Sequence, residues 1–192
     1  MEAGEQGIVS DRLTFSASVE VRAEATEVFA LVSDLRLKAR LNPHIRVIRV
    51  ELLGDEPVRE GSVFYHRFQR GQRIVEYRSR CVRCEPPRLF ESRGETDPPF
   101  GVRVTVEPTS GGCRLTQEEV LHVTADMLDA LEPPPRARTL PDIVRWLPLF
   151  PSGRLLASEL RALERERVAR RLAGEMQVWL EAIRAHVEGR GR

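Results

Sequence analysis

Three side chains able to move protons or orient a ligand are predicted to face the interior of a β-sheet. His66 shares the parity of neighbouring phenylalanines in one segment, and Gln117 and Glu119 share the parity of leucines in another. Side chains alternate between the two faces of a strand, so all three are expected to point inwards. A carboxyl group among apolar neighbours has a raised pKa, and His66 with Glu119 would then form an acid–base pair. A structural hydrogen bond explains each residue equally well, and a one-residue bulge would turn any of them to solvent, so we assign no catalytic residue and keep both as candidates.

The cysteines are not predicted to form a metal site. Cys81 and Cys84 are separated by two residues, as in many zinc sites, but they fall within one predicted strand. Positions i and i+3 of a regular strand point to opposite faces, so both thiols are not expected to reach one ion. With Cys113 the count is odd and no disulfide framework is indicated. The sequence predicts neither a metal nor a cofactor.

Hydrophobic periodicity predicts the elements that position these residues. A strand at 13–21 is followed by amphipathic helices at 23–33 and 35–41, the second ending before Asn42-Pro43. Six strands joined by short turns are then predicted at 45–53, 62–70, 73–84, 89–95, 100–107 and 113–124. Consecutive strands with short connections indicate an antiparallel meander.

The chain is predicted to close with a long helix at 155–187. Apolar residues from Leu156 to Val187 step by threes and fours along one stripe, including Leu163. Such a helix is longer than a small sheet, so either its first turns pass beyond the sheet or it bends near Gly174. The Arg-rich stretch 161–171 interleaves glutamates and is interpreted as the solvated face of this helix rather than a nucleic-acid site.

Residues 126–153 depart from the strand rhythm because three consecutive prolines stand at 133–135. The apolar, proline-broken part of this insertion is interpreted as a lid over the domain formed by Trp146, Leu149 and Phe150. A homodimer contact, a tip that touches membranes during ligand exchange, and a loop folded onto the core remain alternatives.

The ordered set of local motifs resembles the START/SRPBCC superfamily, and within it bacterial proteins of the polyketide cyclase/dehydratase type. The resemblance rests on the segment from Val19 to Asp34, Asn42-Pro43, Gly61, the Glu85-Pro-Pro-Arg88 turn, and Gly111 to Thr116. It covers residues 13–125 and 155–187. Leu41 stands where a Trp is common, and the 126–153 insertion is longer than in the simplest members.

The resemblance implies an α+β helix-grip fold: a curved antiparallel sheet of about seven strands around a long C-terminal helix, with two short helices after the first strand. Residues 11–188 would be one domain after a loose leader at 1–10. A hollow between sheet and helix is expected to bind a hydrophobic small molecule such as a lipid, quinone or polyketide. The lining is predicted to comprise Phe64, His66, Phe68, Tyr77, Val102, Val104, Leu115, Gln117, Glu119, Leu121, Met176, Trp179 and Ile183.

A non-catalytic binding protein is our preferred interpretation. The alternatives are an aromatic polyketide cyclase/dehydratase that uses His66 and Glu119, and a protein-interaction module that docks through the insertion. The formal charge of +1 gives no field for nucleic acid, and no apolar run is long enough to span a membrane. The acidic N-terminus does not resemble a signal peptide, so a cytoplasmic location is expected.

Overall fold

The computed structural model describes residues 11–123 and 151–190. The order of elements is that predicted from the sequence: one strand, two short helices, six strands and a long helix. Their bounds are β1 Asp11–Val21, α1 Ala25–Ser33, α2 Leu35–Arg40, β2 Arg46–Leu53, β3 Val63–Arg70, β4 Arg73–Glu85, β5 Leu89–Gly94, β6 Phe100–Thr109, β7 Gly112–Val123 and α3 Pro151–Arg190. The predicted leader and the predicted lid residues Trp146, Leu149 and Phe150 lie outside the described residues.

The strands form one antiparallel sheet in the order β1-β7-β6-β5-β4-β3-β2. Strands β2 to β7 are a continuous meander, and β1 joins it by pairing with the last strand along its whole length. β1 alternates inward apolar with outward polar residues, and the inward parity of β7 is apolar except at Gln117 and Glu119, so their pairing fixes one face of the sheet towards the helices. The predicted helix-grip fold is confirmed.

The core lies between this sheet and the helices α1 and α3. From α3 it receives a stripe of buried side chains: Val168, Leu172, Met176, Leu180, Ile183 and Val187. The prediction that Leu163 belongs to this stripe was wrong, because its side chain is 59% exposed. Val168 is the first buried residue of α3 among its described side chains, and none of the side chains at 162–167 is buried.

The short helix α2 is held in place at both ends. At its start the Asp34 carboxylate accepts hydrogen bonds from the backbone N–H of Arg36 at 3.0 Å and from the Arg36 guanidinium at 2.8 and 2.7 Å. Near its end, the indole Nε1–H of Trp179 donates to the backbone oxygen of Lys38 at 3.1 Å. These contacts hold α2 in place and with it Lys38, which lies over the sheet.

Replacing Asp34 by Ala is expected to lower the free energy of unfolding by about 1 kcal/mol, because α2 loses its N-cap acceptor. Asp34→Asn is the matched control: it retains a side-chain oxygen for the cap and loses the charge, so its loss should be clearly smaller. Urea denaturation at neutral pH measures both. Equal losses in the two variants would show that the ion pair with Arg36, rather than the cap, stabilises this end.

The argument that separated the two cysteine thiols was wrong. The pairing of β4 with β5 shifts register between Cys81 and Arg83, so β4 contains a bulge there. Val82 and Arg83 are both exposed, while Cys81 and Cys84 both pack against the core. The two thiols therefore lie on the same face of the sheet. Burial raises the pKa of Cys81 to about 12, which keeps its thiol protonated.

Candidate functional site

An internal cavity of about 190 Å³ lies between the sheet and the helices α2 and α3. It is bordered by residues from α2 and the loop after it, from strands β3 to β7, and from α3. Its lining consists of Leu35, Lys38, Ala39, Asn42, Ile45, His66, Phe68, Arg70, Tyr77, Ser79, Ser92, Phe100, Val102, Gln117, Glu119 and Trp179. A larger depression of about 880 Å³ lies near the β6–β7 turn, and the described residues that line it include no aromatic side chain.

Aromatic rings form a connected wall of the cavity. The imidazole of His66 stacks on Tyr77 with centroids 4.6 Å apart, as expected for cross-strand neighbours. Tyr77 also makes edge-to-face contacts with Phe68 at 6.0 Å and with Phe100 at 5.1 Å. These rings restrain one another, so this wall of the cavity is apolar and well ordered.

Lys38 projects from α2 into the cavity and is only 2% exposed. Its ammonium nitrogen lies 5.0 Å from the ring centroid of Trp179, which is a cation–π contact. Burial lowers the pKa of Lys38 to about 8, although the nearby Glu119 carboxylate acts in the opposite direction. A buried amine of this kind has a substantial neutral fraction near neutral pH.

Glu119 faces Lys38 from β7. Burial raises the pKa of this carboxyl group, while the charge of Lys38 and a hydrogen bond from Gln117 lower it in part. The Gln117 amide donates to Glu119 at 2.6 Å, and the Gln117 oxygen has no hydrogen-bond partner among the described residues. Among the described side chains, Lys38 and Glu119 attract each other without a direct ion pair. The site therefore keeps an amine, a carboxyl group and an amide oxygen available to a ligand.

His66 does not form the predicted pair with Glu119. Its Nε2 is hydrogen-bonded to the Ser79 hydroxyl at 2.8 Å, whereas Glu119 is bonded to Gln117. Burial, with a smaller contribution from the charge of Lys38, lowers the pKa of His66 to about 4. Burial and then Glu119 raise the pKa of Tyr77. At neutral pH both rings are uncharged.

Seven of the predicted lining residues border the cavity: His66, Phe68, Tyr77, Val102, Gln117, Glu119 and Trp179. The other six do not border it: Phe64, Val104, Leu115, Leu121, Met176 and Ile183. Phe64 is fully buried, and the remaining five belong to or pack against the main core. They share the inward face of the sheet or helix, but the space opposite them is filled by other side chains.

Sequence reasoning missed Lys38, Ser79, Phe100 and Arg70. Phe100 follows the parity of Val102 in β6, which could have identified it. Ser79 follows the parity of Tyr77, which could have identified it. Arg70 lines the cavity at the end of β3 and forms an ion pair with Glu175 of α3. The composition of the sequence could have drawn attention to Lys38, because it is the one lysine of the chain.

Residues 11–123 and 151–190 contain neither a metal-binding cluster nor a membrane-spanning helix. These residues contain no cluster of three or more histidine, cysteine or acidic side chains placed to hold a metal ion. In the same ranges no helix is both long and apolar enough to cross a membrane.

A curved seven-stranded sheet with a ring-lined cavity beneath a long helix defines the class as a helix-grip protein. Residues 12–188 match the family described as polyketide cyclase / dehydrase and lipid transport. The chain belongs to this family, which confirms the resemblance seen in the sequence. No curated protein sequence matches it.

Solved structures share the fold at low sequence identity. The di-domain ARO/CYC StfQ of the steffimycin biosynthetic pathway aligns with a TM-score of 0.64 and 16% identity, over 94% of this chain and 52% of that one. The chain thus spans about half of that protein. Ara h 8.0201 aligns with a TM-score of 0.56 and 12% identity over 93% and 99% of the two chains. Truncated norcoclaurine synthase from Thalictrum flavum aligns with a TM-score of 0.55 and 17% identity over 93% and 94%.

Proposed function

We propose that the protein binds a small, largely aromatic molecule in the cavity beneath α3. The observation that carries this proposal is the partly open cavity bordered by Phe68, Tyr77, Phe100 and Trp179 together with a few polar groups. Apolar walls with a small number of placed polar atoms are typical of small-molecule sites. Membership of a family that includes cyclases and lipid carriers supports the same conclusion.

The size of the cavity favours a compact ligand. Pockets for drug-sized molecules are usually about 300 Å³ or larger, whereas the described residues enclose about 190 Å³. A molecule with one or two rings fits this space better than an extended lipid or a folded polyketide chain.

The polar atoms indicate which groups the ligand carries. The unpartnered oxygen of Gln117, a residue only 1% exposed, accepts a hydrogen bond and so favours a ligand hydroxyl. Lys38 and the amide of Asn42 add donors at the α2 side of the cavity. A phenol or a related hydroxylated ring satisfies both the apolar wall and these groups.

Filling the cavity is expected to weaken binding at least tenfold, which is a loss of about 1.4 kcal/mol or more. Val102→Phe places a larger side chain at the half-buried lining position of β6. The probe is 1-naphthol, and binding is followed by Trp179 fluorescence in a Trp146→Phe background. A saturable change in that background, weakened by Val102→Phe, is the expected result.

Ile74→Phe is the matched control for this experiment. It introduces the same ring at a position of β4 that is 59% exposed and outside the cavity lining. Its affinity should equal that of the parent protein. If Val102→Phe and Ile74→Phe bind 1-naphthol alike while both remain folded by circular dichroism, the cavity is not the binding site. Native mass spectrometry of freshly purified protein would then identify any ligand carried elsewhere.

A catalytic role is the second candidate, and the grouping of titratable side chains favours it. Lys38, His66, Tyr77 and Glu119 all have displaced pKa values and share one cavity, a pattern that concentrates at active sites. A cyclase or dehydratase reaction would then depend on Lys38 and Glu119, since the hydrogen bond of His66 goes to Ser79.

A cytoplasmic location remains part of the proposal. All three cysteines are free thiols, and Cys81 and Cys84 lie on one face of the sheet without a disulfide. Free neighbouring thiols are typical of a reducing compartment. The proposals of a homodimer and of an interaction module depend on residues 126–153.

A further inference from the structure

The most unusual feature of the cavity is the identity of its cation. The chain contains 30 Lys and Arg residues, and Lys38 is its one lysine. Every other formal cation of these two types is an arginine, yet the position buried in the cavity carries a primary amine. An arginine there would keep its charge at any accessible pH, whereas an amine can lose its proton and act as a nucleophile.

The surroundings of Lys38 suit a nucleophile. Trp179 covers the amine from α3, Glu119 faces it from β7, and the charge of Lys38 helps to lower the pKa of His66 on β3. Burial lowers the pKa of the amine to about 8, so a neutral fraction exists near pH 7. Glu119, whose pKa is raised by burial, can hold or release a proton beside it.

We propose that Lys38 forms an imine with a small aromatic aldehyde or ketone bound in the cavity. This inference rests on the proposed function, because the carbonyl compound must first occupy the site. It extends that function by naming the ligand class as carbonyl compounds and by assigning Lys38 a covalent role.

The step balances without an added oxidant or reductant. The lone pair of the neutral Nζ attacks the carbonyl carbon, a C–N bond forms, and the carbonyl π electrons move to oxygen. Proton transfer from nitrogen to that oxygen gives a carbinolamine. The carbinolamine C–O bond then breaks as the nitrogen lone pair forms C=N, while the Glu119 carboxyl group protonates the departing hydroxyl. One water leaves, and the iminium proton returns to Glu119 to give the neutral imine.

The experiment traps the imine with sodium cyanoborohydride and benzaldehyde at pH 7. Hydride from the reagent converts the imine into a stable benzyl amine, and peptide mass spectrometry locates it. Only two kinds of amine are present, Lys38 and the α-amine, so the site of labelling is unambiguous. Because the neutral fraction of an amine with a pKa near 8 exceeds that of a free lysine near 10.4, Lys38 should react about 100-fold faster than Nα-acetyl-lysine amide.

Two variants sharpen the result. Lys38→Arg should remove the cavity adduct and leave only the adduct on the α-amine, which has an ordinary pKa near 8 and serves as an internal reference for the extent of labelling. Glu119→Gln keeps the shape and loses the acid, so labelling of Lys38 should slow by about tenfold. The variant also removes the charge that raises the Lys38 pKa, which by itself would speed the reaction, so slower labelling identifies Glu119 as the proton donor. Ile74→Phe should label like the parent protein, since residue 74 lies outside the cavity lining.

A parallel titration with benzyl alcohol separates this inference from the proposed function. Benzyl alcohol has the same ring and no carbonyl group, and its binding is followed by Trp179 fluorescence in the Trp146→Phe background. If it binds and Lys38 reacts no faster than the free amine, the imine proposal is overturned and the binding function stands. If benzyl alcohol does not bind and Lys38 reacts no faster than the free amine, both fail. Labelling of Lys38 that is about 100-fold faster than that of Nα-acetyl-lysine amide supports both.

Discussion

Replacing Lys38 by Met is expected to stabilise the protein by about 2 kcal/mol at pH 7. The displacement of the Lys38 pKa from 10.5 to about 8 corresponds to about 3 kcal/mol of unfavourable burial of its charge. Loss of the cation–π contact with Trp179 destabilises the variant by about 1 kcal/mol, which leaves the net gain of about 2 kcal/mol. Met has a similar length and no charge, so it fills the same space beside the ring.

The stability gained by Lys38→Met is expected to depend on pH. The folded-state pKa of Lys38 lies below the unfolded value, so between about pH 8 and 10.5 the unfolded chain holds a proton that the folded protein has lost. The parent protein therefore gains stability as pH rises through this window, and Lys38→Met does not. The difference between the two should be largest below pH 8 and should vanish near pH 10.5.

Lys38→Arg is the control, because a guanidinium cannot escape its charge. It should be less stable than the parent protein at every pH in this range. Guanidinium chloride denaturation at pH 7 and pH 10 measures all three proteins. A destabilised Lys38→Met variant at pH 7 would show that the amine contributes to folding, and it would remove the main reason for treating Lys38 as a functional group.

The free energy of unfolding is expected to fall by about 3 kcal/mol between pH 6.5 and pH 4 because His66 is protonated more readily in the unfolded chain. Burial lowers the folded-state pKa of His66 to about 4, against 6.5 in an unfolded chain. Between these values the unfolded chain binds a proton that the folded protein excludes, so the stability from His66 is complete above pH 6.5 and is lost on acidification. The raised pKa of Glu119 acts in the opposite sense, since there the folded protein retains the extra proton.

Comparison with His66→Gln separates these two contributions. Gln retains a hydrogen-bonding side chain for Ser79 and does not titrate, while Glu119 remains in both proteins. From pH 7 to pH 4 the free energy of unfolding of the parent protein should fall by about 3 kcal/mol more than that of His66→Gln. In the NMR spectrum, the ring proton of His66 should titrate near pH 4, and its midpoint should rise in Lys38→Met. A midpoint near 6.5 would mean that the ring is hydrated and that the cavity is open around it.

The elements could be predicted from the sequence because their periods differ. Alternation over two residues marked β1 and β7, and spacing of three and four marked α1 and the stripe of α3, with bounds within a few residues of those observed. Asn42-Pro43 placed the end of α2 because backbone before proline avoids helix. These signals are local, so they need no knowledge of the partner elements.

The cavity could be predicted only in part because parity identifies a face, not a position on that face. Val102 and Val104 share one face of β6, yet Val102 borders the cavity and Val104 is completely buried in the core. Which of them meets empty space depends on where α2 and α3 lie over the sheet, and that is a tertiary property. The bulge at Cys81–Arg83 escaped the same reasoning, because one extra residue reverses the parity beyond it.

Lys38 was missed because a lysine on a short amphipathic helix is normally solvated. Its burial depends on the indole of Trp179, which lies 141 residues further along the chain and bonds to the Lys38 backbone oxygen. No local pattern contains that contact.

The burial of the one lysine also makes the opening of α2 measurable by proteolysis. A protease that cuts only after lysine has a single target bond in the whole chain, between Lys38 and Ala39, and that bond is held within a helix under Trp179. The bond becomes accessible only when α2 detaches or the whole domain unfolds. The rate of cleavage into two fragments therefore measures how often α2 opens. A ligand bound beneath α2 is expected to lower this rate.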